Sequence, residues 1–243
     1  MMDKLGSTRT VMTRTYALLA PDGHVTSALP GWSHCRAVVL MSAALGARFS
    51  QYLITVESGG RGDGETGEDT WFFFLVEGAV TINGATLSRG GFAYVPPGRQ
   101  YTVDGVATGA VLLVFRKRYE PLHVLTAPPF FTGQEQEIAE VPFLGDPHAR
   151  LKVLIPDDLL TDMAVNVFTY DPGATLPFVE SHVMEHGLLF LAGGGVYRLG
   201  ADWHPVAAGD AIWIAAYCPQ WFIAAGPEPA RYIYYKDVNR LPA

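Results

Sequence analysis

Charge is scarce in this chain of 243 residues. Asp, Glu, Lys and Arg together make up 17%, and the acidic ones prevail, for a net charge of −7. Nucleic acid is gripped by clustered Lys and Arg that displace counterions from phosphates, and no such cluster is present, so a polynucleotide partner is excluded. Cysteine is scarcer still. Cys35 and Cys218 stand in neither a C-x-x-C nor a C-x-H arrangement, which rules out a disulfide framework and leaves two plain thiols. No apolar run reaches the roughly 18 residues that span a bilayer, and the opening MMDKLGSTRTVMTRTY lacks the apolar segment of a secretory signal. The expectation is a cytoplasmic chain without a membrane partner. Helix signals are few as well. The best is PDDLLTDM from Pro156, an acidic first turn after proline that is only about two turns long.

What the chain does have is 49% hydrophobic residues, 12% aromatics, 26 glycines and 17 prolines. That composition folds compactly, and it suits many short strands joined by turns. The strands come in two sets. Residues 72–98, FFFLVEGAVTINGATLSRGGFAYVPPG, read as a strand ending at Gly78, a hairpin around Asn83-Gly84, a Gly90-Gly91 turn, a second strand and a proline corner. Residues 188–219 repeat that order, with Gly193–Gly195, a hairpin around Gly200–Trp203, the turn Gly209-Asp210 and the strand AIWIAA. The glycines are offset by 115 and 119 residues, nearly half the chain, which marks a duplicated all-β domain. The division is 1–118 for the first copy, 119–150 for a connection rich in proline (Pro121, Pro128, Pro129, Pro142, Pro147), and 151–243 for the second copy. The end segments of such a chain are expected to cross to the other half.

Of seven histidines, His24, His34, His123, His148, His182, His186 and His204, only His182 and His186 lie close together with a carboxylate in step, in Glu180–Gly187, ESHVMEHG. On a strand Glu180 and His182 project from one face, and His186 joins them if the strand continues. With a fourth group from a neighbouring strand they would hold a divalent ion and leave positions open for substrate. The helical H-E-x-x-H pattern is absent, because Glu185 precedes His186 instead of following His182. Glu185 then falls on the opposite strand face as a structural residue, and His204 at its hairpin reads as exposed.

These segments resemble the cupin superfamily, whose two motifs are G-x5-H-x-H-x3,4-E-x6-G and G-x5-P-x-G-x2-H-x3-N. With Gly193 closing the first motif, His186 takes the family's glutamate position, His182 its second histidine and Glu180 its first, so glutamate and histidine have traded places. From Gly209 in the second motif, Gln220 takes the last histidine position. The resemblance thus implies two tandem cupin barrels and the ligand set Glu180, His182, His186 and Gln220, a mixed N2O2 donor set that suits Mn2+, with other divalent ions possible. The same registration in the first half puts Glu65, Gly67, Trp71 and Tyr101 at the ligand positions, which implies a structural barrel without metal.

Nearly the whole chain, in the segments YALLAPDGHV, FVESHVMEHG, the GVY of 195–197 and the tail YIYYKDVNR, is similar to the (S)-ureidoglycine aminohydrolase family of bicupins. That resemblance implies Mn2+-dependent release of ammonia from a small ureido substrate in purine (allantoin) catabolism, with Tyr197, Tyr232 and Lys236 contacting substrate and Tyr197 and Lys236 as catalytic candidates. Alone, Tyr197 reads as a core aromatic and Lys236 as a solvated charge; the resemblance is what assigns them roles. It also implies a homo-oligomer, since double barrels bury an apolar face against a neighbour and the mean hydropathy is +0.16. The competing readings are another metal-dependent cupin enzyme, a dioxygenase or isomerase, which would show histidine where Gln220 stands, and a non-catalytic binding bicupin.

Overall fold

A computed structural model of the chain describes residues 6–122 and 126–240, with backbone alone at 107–108; His123 lies outside the described residues. The chain is all-β. In order, the strands are β1 (Val11–Met12), β2 (Tyr16–Leu19), β3 (Trp32–Met41), β4 (Ser50–Glu65), β5 (Asp69–Ile82), β6 (Ala85–Ser88), β7 (Gly91–Val95), β8 (Gln100–Arg118) and β9 (Phe131–Gln134). They continue as β10 (Val141–Phe143), β11 (Asp146–Val153), β12 (Met163–Tyr170), β13 (His186–Ala192), β14 (Gly194–Leu199), β15 (Asp202–Ala207), β16 (Ala211–Ile214), β17 (Gln220–Ala224) and β18 (Ala230–Asp237). The first barrel is a seven-stranded sheet in the order β3-β4-β8-β5-β7-β9, with β6 beside β5. The second combines an eight-stranded sheet, β1-β2-β16-β13-β18-β12-β11-β10, with a three-stranded sheet, β15-β14-β17.

The sheets show where the end segments go. β2 pairs with β16, so the first strands of the chain cross to complete the second sheet, whereas the last strand, β18, stays in its own half between β12 and β13. The connection divides: β9 pairs with β7 of the first barrel, while β10 and β11 lead into the second. The proline-led segment from Pro156 forms turns instead of a helix. Two turns without an apolar face have little to hold them, and the Asp158 carboxylate and carbonyl accept from the amides of Leu160 and Thr161 instead.

Alternation along the strands explains the runs of apolar residues. In β5, Phe72 and Phe74 pack into a core shared by the two barrels, while Phe73 and Leu75 fill the first barrel's interior. In β18, Ile233 and Tyr235 join the shared core, while Tyr232 and Tyr234 face the interior of the second barrel. Strands buried on both faces lose the polar alternation of a one-sided sheet. The repeat is also visible in the backbone. Gly78 and Gly193 both adopt left-handed φ, +79° and +62°, and a Cβ would stand 2.1 Å from the Gly109 carbonyl oxygen in one copy and 2.4 Å from that of Pro229 in the other. Only glycine fits where these strands press onto their neighbours. Both cysteines are free and buried.

Candidate metal and active site

Side chains from β10, β12, β13, β14, β17 and β18, with those of residues 176–184, enclose a cavity of about 210 Å3. Glu180, His182, His186, Tyr197, Gln220, Tyr232 and Lys236, the candidate ligands and substrate contacts, line it. The route by which they converge differs from the expected strand. Glu180 makes a single bridge to Gln220, residues 181–185 are irregular, and a regular strand begins only at His186. The loop is held from outside and within: the Tyr217 amide donates to the His182 carbonyl, and His182 Nδ1 lies 3.0 Å from the Met184 carbonyl. His182 therefore reaches the cavity from a loop folded back over the barrel mouth, and strand alternation is not what aligns it with His186.

His186 Nε2 and His182 Nε2 stand 3.1 Å apart, Gln220 Nε2 lies 3.3 Å from His182 Nε2, and Glu180 Oε2 lies 3.9 Å from the same nitrogen. Tyr197 donates its hydroxyl to Gln220 Oε1 at 2.8 Å. With Nδ1 of His182 donating to Met184 and the His186 ring donating to the Tyr235 backbone, each imidazole turns a lone pair toward the other. Two such lone pairs at this separation need a proton or a cation between them. Burial drives His186 well below the ordinary histidine range, with the charges of His182 and Lys236 acting in the same direction, so an imidazolium there is costly. A divalent ion suits the pair, and neutral imidazole is the form that ligates. Burial raises the Glu180 carboxyl, opposed by His182 and Lys236. Among the described residues no three His, Cys, Asp or Glu side chains close into a ready cage, and the Gln220 amide stands beside the imidazole of His182.

The walls are aromatic. Tyr197 is almost wholly buried, Tyr232 and Tyr170 share a hydrogen bond of 3.2 Å, and burial pushes Tyr197, Tyr232 and Tyr234 far above the usual phenol range, so each stays a proton donor. Tyr234, which accepts from Asn166 Nδ2 at 3.0 Å, is a polar lining residue that the motifs do not name. It sits midway between Tyr232 and Lys236 on one strand face, and that spacing was the available signal. Phe143, from the connection, closes the apolar side, together with Phe168 and Leu176.

In the first barrel two of the four corresponding positions, Trp71 and Tyr101, hold rings. Trp71 and Tyr101 lie 5.0 Å apart between centroids, Phe73 packs on Tyr101, and Glu65 points outward, near Gln100. Glu185 is buried facing away from the cavity. His204 is half-buried against Tyr16, its Nε2 3.3 Å from the Tyr16 hydroxyl, so it is less exposed than its hairpin suggested.

Two barrels of this topology, with two histidines, a carboxylate and an amide gathered in the cavity of one, define a cupin, and residues 166–235 match the cupin domain family. Similarity across the full chain is narrower. The chain is 36% identical to the (S)-ureidoglycine aminohydrolase of Arabidopsis thaliana, over all of this chain and 82% of that protein. It is also 36% identical to that of Escherichia coli, over 98% of this chain and 94% of that one. The chain belongs to the (S)-ureidoglycine aminohydrolase family. Solved structures agree: the Escherichia coli protein Ylba superposes with a TM-score of 0.87 at 32% identity, over 100% of this chain and 99% of that one. A putative glyoxylate-induced protein of Pseudomonas aeruginosa gives 0.89 at 34%, over 98% and 94%. Oxalate decarboxylase of Bacillus subtilis, at a TM-score of 0.70 and 11% identity over 96% of this chain and 79% of that one, shares the fold. Among the described residues no helix is long and apolar enough to cross a membrane.

Proposed function

We propose that this chain converts (S)-ureidoglycine and water to (S)-ureidoglycolate and ammonia in purine breakdown, in the cavity of the second barrel, with Mn2+ held by Glu180, His182, His186 and Gln220. The observation that carries the reading is the pair of facing Nε2 atoms 3.1 Å apart, beside a carboxylate and an amide. Bound there, the ion would act as a Lewis acid and as a template for the amine and carboxylate that share the reacting carbon. The rest belongs to the chain. Lys236 supplies the ammonium that pairs with the substrate carboxylate, and its proton is available to the departing nitrogen. Tyr232 and Tyr234, held protonated by burial, offer donors to the ureido oxygen. Tyr197 fixes the Gln220 amide, which would ligate through Oε1 once turned so that its NH2 faces the tyrosine oxygen. The apolar wall of Phe143, Phe168 and Leu176 limits water to what the reaction consumes. Holding the carboxylate and the amine at two fixed points determines which face of the carbon water reaches, hence the S configuration of the product.

The first barrel, its interior filled by Trp71, Phe73 and Tyr101, is on this reading a structural partner without metal. The same reading makes the enzyme a cytoplasmic homo-oligomer. Exposed Phe178, Val179 and Tyr217 near the barrel mouth support it, and a monomeric sedimentation coefficient would oppose it. Ammonia release from freshly prepared ureidoglycine, measured beside metal content, tests the activity. Wild type should carry about one Mn2+ per chain and release ammonia. Glu180→Ala should lose both, and Glu65→Ala should keep both. An active, metal-free protein, or equal loss at Glu65, contradicts the reading.

A further inference from the structure

A charged side chain of the first barrel, Arg48, reaches across to the second. Arg48, just before β4, donates its backbone amide to Glu185 Oε1 at 2.9 Å and its Nε to the same oxygen at 3.3 Å, while Nη2 donates to Asp237 Oδ2 at 2.9 Å. Glu185 is the neighbour of His186, and Asp237 is the neighbour of Lys236. His186 and Lys236 are themselves cross-strand partners of β13 and β18. His186 and Lys236 line the cavity, whereas the Glu185 and Asp237 carboxylates turn to Arg48 of the first barrel. The Glu185 amide donates to Asp237 Oδ1 at 2.6 Å, and Trp213 Nε1 donates to Glu185 Oε2 at 3.1 Å. Beside them the Phe49 ring stacks 4.2 Å from Tyr235 and covers Gly187, where a Cβ would stand 2.4 Å from it.

We propose that Arg48 is a positioning residue for the second barrel's site, holding the ends of β13 and β18 together so that His186 and Lys236 keep the separation the metal and substrate require. His186 is the first residue of its strand and follows five irregular ones, so its ladder pairs with Ile214 and Lys236 are the last at that end and no strand pairing continues beyond them. The Arg48 clamp takes that place. An apolar contact would join two barrels without the cost of dehydrating a carboxylate, whereas Glu185 is 2% exposed. Its burial is explained by what it anchors. The inference rests on the reading of His186 as a metal ligand.

Titration of Mn2+ into the metal-stripped full-length protein, followed by calorimetry, tests it apart from activity. Arg48→Met should bind Mn2+ about tenfold more weakly than wild type, the effect expected of groups that orient a ligand. With Mn2+ saturating, its kcat should also fall. Arg48→Lys, which keeps the charge but reaches a single carboxylate, should fall between and serves as the readout if Arg48→Met does not fold. Arg36→Ala, which loses only an exposed ion pair to Glu57 on the same barrel, should match wild type. Mn2+ affinity within twofold of wild type in the folded Arg48 variant, whatever its melting temperature, overturns the proposal. If wild type binds Mn2+ but releases no ammonia, the proposed reaction fails while the affinity comparison still decides the role of Arg48. A wild type that binds no Mn2+ defeats both.

Discussion

Tyr197 and Gln220 show how one hydrogen bond sets up a site. The phenol is buried and stays protonated, so the amide it touches has a fixed partner in either orientation. Tyr197→Phe removes that partner and leaves a buried amide group unpaired, at a cost of about 1–3 kcal/mol. The expected outcome is Mn2+ binding about tenfold weaker by calorimetric titration, with the fold intact by circular dichroism. Unchanged affinity would mean that Gln220 is not oriented by Tyr197. At this scale the sequence was readable in part. Glu180, His182, His186 and Gln220 could be named because the cupin motifs set their spacing, and the structure brings all four to one cavity. Tyr234 was not named, although it shares a strand face with Tyr232 and Lys236, because an aromatic on a barrel strand reads equally well as core. The partners of Glu185, one on the other barrel, leave no trace in local sequence.

The strands and loops carry a different lesson. Alternation located the hairpins around Asn83-Gly84 and Gly200, and the left-handed glycines at 78 and 193 sit where the repeat put them. It failed in ESHVMEH, where a loop folded over the barrel mouth replaces the expected strand. There the backbone is satisfied by distant groups, the Tyr217 amide and the Asp237 carboxylate, which no local pattern encodes. A second loop partner invites measurement. Asp171, directly after β12, accepts two bonds from Arg150 of β11, at 3.0 and 2.8 Å, and one from His148. Chiefly through Arg150, its carboxyl is held down at about 2, below its ordinary value. A carboxyl depressed in the folded state stabilises that state above its unfolded pKa, and the contribution disappears as pH falls through the folded pKa. Asp171→Asn should therefore lower the urea midpoint at pH 6, and the gap from wild type should narrow between about pH 4 and pH 2. A gap that is constant across that range would contradict the assigned cause.

At the scale of the molecule, the duplication was legible because glycines recur at similar offsets, 115 and 119 residues, and the composition pointed to strands. How the halves share elements was only partly so. Strands buried on both faces look alike whether the second face meets a partner barrel or the barrel's own interior, so the shared core of Phe72, Val165, Trp213 and Ile233 could not be read ahead of the structure. Nor could the division of the connection between the two sheets. What the whole arrangement asserts is an asymmetry: duplicated barrels, one filled by tryptophan and tyrosine, the other shaped to hold a cation. Diffraction from crystals grown with Mn2+, recorded on both sides of the manganese absorption edge, tests that asymmetry directly. The account predicts a single anomalous peak per chain, within bonding distance of the His182 and His186 Nε2 atoms. A peak between Trp71 and Tyr101, or none beside the two histidines, would contradict it.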